Sequence, residues 1–187
     1  MPGLRVIAGE AKGRRLKMVP GERTRPIGDR VKEALFNILG ADVREASVLD
    51  LFAGTGSVGI EALSRGAARA VFIDDDRAAI RTIRANLEAT RLEDRAVVIQ
   101  RDAFGFLRAG PAQPFDLVYV APPQYQGTWL RTLKELDDRP EWLAPDAQVI
   151  VQMDPKEDAP IELARLEPVD QRRYGSTMLR FYTLPGT

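Results

Sequence analysis

Three glycines stand at G-x-G-x-x-G spacing, Gly54, Gly56 and Gly59, directly after the apolar run Val48 to Phe52. One carboxylate, Asp50, interrupts that run four residues before Gly54. Another, Asp74, closes the next apolar run, Val71-Phe72-Ile73, twenty positions after Gly54, and Asp75 follows it. A third, Asp102, closes the run Ala96 to Gln100 one residue late, ahead of Ala103 and Phe104. An apolar run, a glycine turn and an amphipathic continuation predict a buried strand, a tight loop and a helix start. The loop Phe52-Ala53-Gly54-Thr55-Gly56 can then lay bare backbone against a ligand, and the helix offers free N–H groups and partial positive charge.

A dinucleotide could use such a cradle, and a tight turn with no ligand also fits a lone glycine motif. Asp50 tilts the reading elsewhere. A carboxylate inside the strand is badly placed beside a pyrophosphate and well placed beside an ammonium group. Asp74 can accept hydrogen bonds from both hydroxyls of a ribose. Ammonium at one end and ribose at the other describes S-adenosylmethionine, so this cofactor, with S-adenosylhomocysteine as its product, is the expectation.

Composition removes much other chemistry. The chain has no cysteine and no histidine, so it lacks thiolate nucleophiles, zinc thiolate sites and the commonest general base. No metal site is expected. Carboxylates, backbone dipoles, aromatics and a cofactor remain. At 187 residues the chain is one domain with at most a small appendage. No apolar run approaches the ~20 residues that span a membrane, and the first residues hold no apolar signal core, so a cytoplasmic protein is expected. Net charge is zero, yet residues 1–32 carry nine Lys/Arg against three acids, which leaves a net −6 on the rest. A basic arm on an acidic body is the footprint of an anionic polymer. A solvated basic tail is the plainer reading.

The elements that must position these residues alternate. Leu4 to Ala8 and Gly13 to Leu16 suggest a small hairpin, followed by a basic, proline-bounded loop, Pro20 to Pro26. A helix is expected from Asp29, with Val31, Ala34, Leu35, Ile38 and Leu39 on one stripe and Gly40 as C-cap. Arg30, Lys32, Glu33 and Asn37 lie off that stripe, as a solvated face or as a wall of a binding site. Strands are expected at Val48–Phe52, Ala70–Asp74, Ala96–Gln100, Phe115–Val120 and Gln148–Met153. Helices are expected at Gly59–Arg65, from Asp76 to Thr90, after Asp102, and over Thr128–Leu136. Residues 161–169 and 177–184 suggest a final antiparallel pair. The whole is α/β, a mostly parallel sheet of seven strands with helices on both faces. Asp50, Asp74, Asp102 and the turn Ala121-Pro122-Pro123 all fall at carboxyl ends of strands, where such sheets bind ligands.

The segment Val48 to Gly59, with Asp74 and Asp102, resembles the Rossmann-like class I S-adenosylmethionine-dependent methyltransferases. The likeness is closer to the RsmD family, which methylates the exocyclic N2 of a guanine in bacterial small-subunit ribosomal RNA. Arg5-Val6-Ile7-Ala8-Gly9, Gly13-Arg14-Arg15-Leu16, the run Arg25-Pro26 to Asn37, Glu61 to Ala67, and Tyr174-Gly175-Ser176-Thr177 all resemble that family's pattern. The resemblance implies that Asp50 and the Gly54/Gly56 backbone hold the methionine part of the cofactor, with Phe52, Ala53, Thr55 and Gly59 also in the cofactor site. Asp74 would hold the ribose, with Asp75 also in the cofactor site, and Asp102 would reach the adenine amino group, with Ala103 and Phe104 near the ring. Arg14, Arg15, Arg23, Arg25 and Arg30 would face RNA, residues 1–27 forming the basic arm and 28–187 the methyltransferase domain. The implied partner is ribosomal RNA or the assembling small subunit, and a monomer is expected. The plainer role for Asp102 is a helix N-cap.

One departure stands out. The amino-directed motif Asp/Asn-Pro-Pro-aromatic is here Ala121-Pro122-Pro123-Gln124-Tyr125. The side chain of Ala121 cannot accept the hydrogen bond that the acid would take from the target amino group. The backbone carbonyls of Ala121 and Pro122 can, Tyr125 can stack on a flipped base, and Gln124 can offer an amide oxygen. Two functional readings follow, a working rRNA methyltransferase and a non-catalytic RNA or ribosome-assembly binder.

Overall fold

The computed structural model describes residues 3–21, 26–123 and 126–186. A first helix, α1 (Asp29–Leu39), precedes an alternating run: β1 (Ser47–Asp50), α2 (Ser57–Ser64), β2 (Arg69–Asp74), α3 (Arg77–Thr90), β3 (Ala96–Gln100), α4 (Ala103–Arg108), β4 (Phe115–Val120), α5 (Thr128–Asp138) and β5 (Leu143–Met153). Two further strands, β6 (Glu167–Tyr174) and β7 (Thr177–Thr183), close the chain. The strands form one seven-stranded sheet in the order β3-β2-β1-β4-β5-β7-β6. The five strands β1 to β5 run parallel, β7 is antiparallel to β5, and β6 is antiparallel to β7. The order reverses at β1, between β2 and β4, which opens a crevice at the carboxyl edge.

Residues alternate across each strand, so the sheet carries two cores. Val48, Phe72, Leu117, Tyr119, Ile150 and Phe181 pack on one face with α1, α2 and α3. Leu49, Leu51, Val71, Val118, Val149 and Val151 pack on the other with α4 and α5. Trp129 of α5 and Trp142, both about 1% exposed, anchor that second core. No described helix is long and apolar enough to cross a membrane.

At the N-terminus the expected hairpin is present as a bridge between Arg5 and Arg15, with Val6 and Leu16 N–H groups donating to Arg14 and Leu4 carbonyls. Leu4, Val6, Ala11 and Leu16 join the first core. Gly9 lies so close to α2 that a Cβ there would sit 1.9 Å from the Ser64 carbonyl oxygen.

Some boundaries differ from expectation. Leu51 and Phe52 lie beyond β1, and α2 starts at Ser57 rather than Gly59. β5 starts at Leu143, because Leu143 pairs with Phe115 across a bulge that the local Pro145 and positive-φ Asp146 disguise. The penultimate strand is 167–174, not 161–169. Ile161, Leu163 and Leu166 do face the second core, but from an irregular segment. The buried carboxylate of Asp137, at the end of α5, pins that segment by accepting from the N–H groups of Ala164, Arg165 and Leu166 at 2.8 Å each. Strand β6 is an exposed edge, so its mostly polar sequence carries no alternation, and its pairing with β7 defines it.

Candidate active site

A cavity of about 740 Å³ opens at the carboxyl edge of the sheet. Asp50 lines it, at the end of β1, the middle one of the five parallel strands, and is about 1% exposed. Burial pushes its carboxyl up to about 7, against the pull of the Gly59 backbone N–H, and the nearby Asp74 adds to the rise. Its Oδ1 is buried and has no hydrogen-bond partner among the described residues. A buried, half-satisfied carboxylate costs free energy unless a cation or donor meets it. An ammonium group of a ligand in the cavity supplies both.

The glycine loop forms as its spacing predicts. Gly56, at φ 80°, turns the chain into α2, and Gly54 lines the cavity with Phe52, Ala53 and Thr55. Gly59 and Gly56 lie outside the lining. A Cβ on Gly59 would stand 2.3 Å from the Phe72 ring, so this glycine lets α2 approach β2. Asn86 of α3 holds the loop from behind, donating to the Thr55 carbonyl at 2.9 Å.

Asp74 ends β2. Its carboxylate oxygens accept from the N–H groups of Gly54 at 2.8 Å and Asp76 at 2.9 Å. Burial raises its pKa, while those two N–H groups oppose the rise. A carboxylate offers about four lone-pair sites, so two remain for a diol. Asp75 is exposed beside it on the lining. Asp102 does cap α4, its Oδ2 accepting from Gly105 N–H at 2.9 Å, and it lines the cavity as well. Cap and ligand contact are compatible, because Oδ1 is left outside the cap. Ala103 and Phe104 follow on the lining, and the Arg131 guanidinium lies 3.7 Å over the Phe104 ring. Ala121, Pro122 and Pro123 line the same cavity.

The acidic residues and the proline turn are therefore brought to one cavity, whereas Arg14, Arg15 and Arg30 are not. Arg14, Arg15 and Arg30 are exposed and outside it. Arg23, Arg25, Gln124 and Tyr125 lie outside the described residues. Lys32 corrects the reading of α1: it is neither a solvated face nor a cavity wall, but fully buried. Its ammonium lies 3.3 Å from Glu61 and donates to Ser57 Oγ at 2.9 Å and the Arg5 carbonyl at 2.6 Å. Glu61 also accepts from the Ile7 and Ala8 N–H groups and from Arg65. The pair bolts the hairpin to α2, and helical periodicity, which sorts Lys with the polar face, cannot show it.

Sequence reasoning also missed Tyr119, Gln152, Arg131 and Thr177, all on the lining. Tyr119 and Gln152 sit inside strands read only for their apolar pattern. Arg131 is a surface residue of α5 until the fold brings that helix to Phe104.

Comparison with known proteins finds a family and close relatives. The model of the family described as conserved hypothetical protein 95 matches residues 4–183. Ribosomal RNA small subunit methyltransferase D of Escherichia coli strain K12 is 36% identical over 179 residues, covering 96% of this chain and 89% of that protein. Its namesake from Haemophilus influenzae is 37% identical over 151 residues, covering 80% of this chain and 78% of that protein. Among solved structures, the Escherichia coli protein yhhF superposes with a TM-score of 0.87 at 35% identity, covering all of both chains. A Salinibacter ruber RNA methyltransferase solved with S-adenosyl-L-homocysteine shares the fold, with a TM-score of 0.67 at 20% identity, covering 87% of this chain and 95% of that one. The chain belongs to the RsmD family, that of the ribosomal RNA small subunit methyltransferase D proteins.

Proposed function

We propose that this protein transfers a methyl group from S-adenosylmethionine to the exocyclic N2 amino group of a guanine in small-subunit ribosomal RNA. The observation that carries the reading is the unpartnered, buried oxygen of Asp50 on the lining of a cavity built from strand ends. Asp50 pairs with the cofactor's ammonium group, and the Gly54 loop lies along its methionine chain. Asp74 holds the ribose through the lone pairs that the backbone leaves free, and Asp75 stands beside it in the cofactor site. Asp102 receives the adenine amino group and Phe104 lies against the ring.

When bound, the cofactor supplies a methyl group made electrophilic by its sulfonium. The protein then has to hold the target nitrogen in line and keep water out, and orientation of this kind supplies roughly 7–11 kcal/mol. The carbonyls of Ala121 and Pro122 accept from the amino group, and Tyr125 stacks on the extruded base. The exposed Arg14, Arg15 and Arg30, with Arg23 and Arg25 from the same basic arm, hold the RNA backbone, so that residues 1–27 face RNA and 28–187 carry the chemistry. The protein works as a monomer in the cytoplasm, on the assembling small subunit.

A second reading rests on Ala121. A missing general base typically costs about 10²–10⁴-fold, and a chain that had lost its chemistry would remain an RNA binder. The test is transfer of radiolabelled methyl from S-adenosylmethionine to unmethylated small subunits, beside Ala121→Asp. Label on a guanine from the natural protein is the expected result. Label from Ala121→Asp alone would establish the binder instead.

A further inference from the structure

The residue that stands where the motif acid is missing is legible in the register of β4 and β5. Tyr119 pairs with Ile150 and Val120 with Val151. Carried one step beyond this last pair, the register of these parallel strands sets Ala121 opposite Gln152. Tyr119 and Ile150 belong to the same face of the sheet. Pleating repeats every two residues, so Ala121 and Gln152 share that face with them. Asp50 pairs with Tyr119 across β1 and β4, on the same face again. Tyr119, Ala121, Gln152 and Asp50 all line the cavity.

The Tyr119 hydroxyl donates to Gln152 Oε1. With the phenol as donor, the amide turns its oxygen toward Tyr119. A carbonyl oxygen has two lone pairs, so Oε1 can accept one more hydrogen. Burial, reinforced by the Asp50 carboxylate, pushes the Tyr119 phenol well above its ordinary range, so it stays a donor at any working pH.

Resting on the methyltransferase reading, we infer that Gln152, oriented by Tyr119, is the acceptor that takes over from the missing acid at Ala121 and receives one N–H of the target amino group, leaving the other N–H to the backbone carbonyls of Ala121 and Pro122. The acceptor has moved one strand over, from β4 to β5, and has lost its charge. A neutral acceptor can orient the nitrogen lone pair toward the methyl carbon. The lone pair forms the new N–C bond as the S–C bond breaks and its electron pair stays on sulfur. The nitrogen then carries a positive charge and sheds one N–H proton to water, because an amide oxygen is not basic enough to take it. Gln152 is thus a substrate-contacting residue, and Tyr119 is a positioning residue that acts through it.

The experiment measures methyl transfer to unmethylated small subunits for the natural chain, Gln152→Ala, Tyr119→Phe, and Gln152→Ala combined with Ala121→Asp. Affinity for S-adenosylhomocysteine is read by calorimetry on each. Gln152→Ala is expected to lower kcat roughly 10- to 100-fold, the scale of one lost hydrogen bond to the reacting group. Tyr119→Phe should lower it less, and neither should change KM for the subunit or S-adenosylhomocysteine affinity more than a few-fold. Ala121→Asp should restore most of the kcat lost in Gln152→Ala, because an acid then stands at the adjacent register position. Full kcat in Gln152→Ala overturns the inference. So does a loss that Ala121→Asp does not rescue, or one that tracks weaker S-adenosylhomocysteine binding, since both describe a structural role. An inert natural chain removes the methyltransferase reading itself and the inference with it.

Discussion

Asp50 is stable in its place at a cost. Its folded-state pKa of about 7 lies well above the ordinary 3.8. Between those values the folded chain holds a proton that the unfolded chain has released, so stability falls as pH rises through that window. Asp50→Asn, which fixes the uncharged form, should be more stable than the natural protein at pH 8, by on the order of 4 kcal/mol at most, measured by urea denaturation. The same variant should lose S-adenosylmethionine affinity by 100-fold or more on calorimetry, on the scale of about 3 kcal/mol for a charge-assisted bond. Unchanged affinity would remove Asp50 from the cofactor site. In the natural protein, a ligand ammonium favours the ionised carboxylate, so affinity should rise with pH up to about 7 and level off above it. A profile flat from pH 5 to 8 would contradict this. The lone carboxylate of Asp50 was visible in the sequence as a charge inside an apolar run. Its unpartnered oxygen was not, because that depends on which groups the neighbouring strands bring within reach.

At the scale of elements, α2 carries two constraints. Gly59 lets it lie against β2, and Glu61 ties it to α1 and to the hairpin. Gly59→Ala would drive a methyl into the Phe72 ring, and overpacking of this kind costs about 1–3 kcal/mol. Pairing it with Phe72→Leu should return part of the loss in thermal or urea unfolding; no loss in the single variant would mean that α2 rides up without penalty. Lys32→Ala should cost more, about 3–5 kcal/mol, because it leaves Glu61 buried beside half of its counter-charge. The spacing of apolar residues was enough to find α1, and Asp76 and Asp102 were readable as caps at the starts of α3 and α4. Periodicity ranks side chains by polarity, however, and Lys32 is buried because Glu61, far along the chain on α2, meets its charge.

For the whole molecule, the charge division is the main feature: +6 on residues 1–32 and −6 on the remainder. Arg14 and Arg15 are exposed on a hairpin that is packed into the first core, so the basic surface is held rather than trailing. Neutralising Arg14, Arg15, Arg23 and Arg25 together should weaken binding to small-subunit RNA. It should also flatten the dependence of log K on log salt by about 0.7–0.9 for each phosphate that the variant no longer neutralises. A salt slope unchanged in the quadruple variant would take the arm off the phosphates.

The sequence by itself determined the alternation of strands and helices, the glycine loop and the carboxylates at strand ends, because strand and helix periods and turn chemistry are local properties. It also showed that the motif acid is absent. Tertiary structure alone decided that Gln152 and Ala121 line one cavity, that Lys32 is a core residue and that the penultimate strand is 167–174. Each of these depends on how segments distant in the chain come together, and that is set by packing across the sheet rather than by any residue's own neighbours.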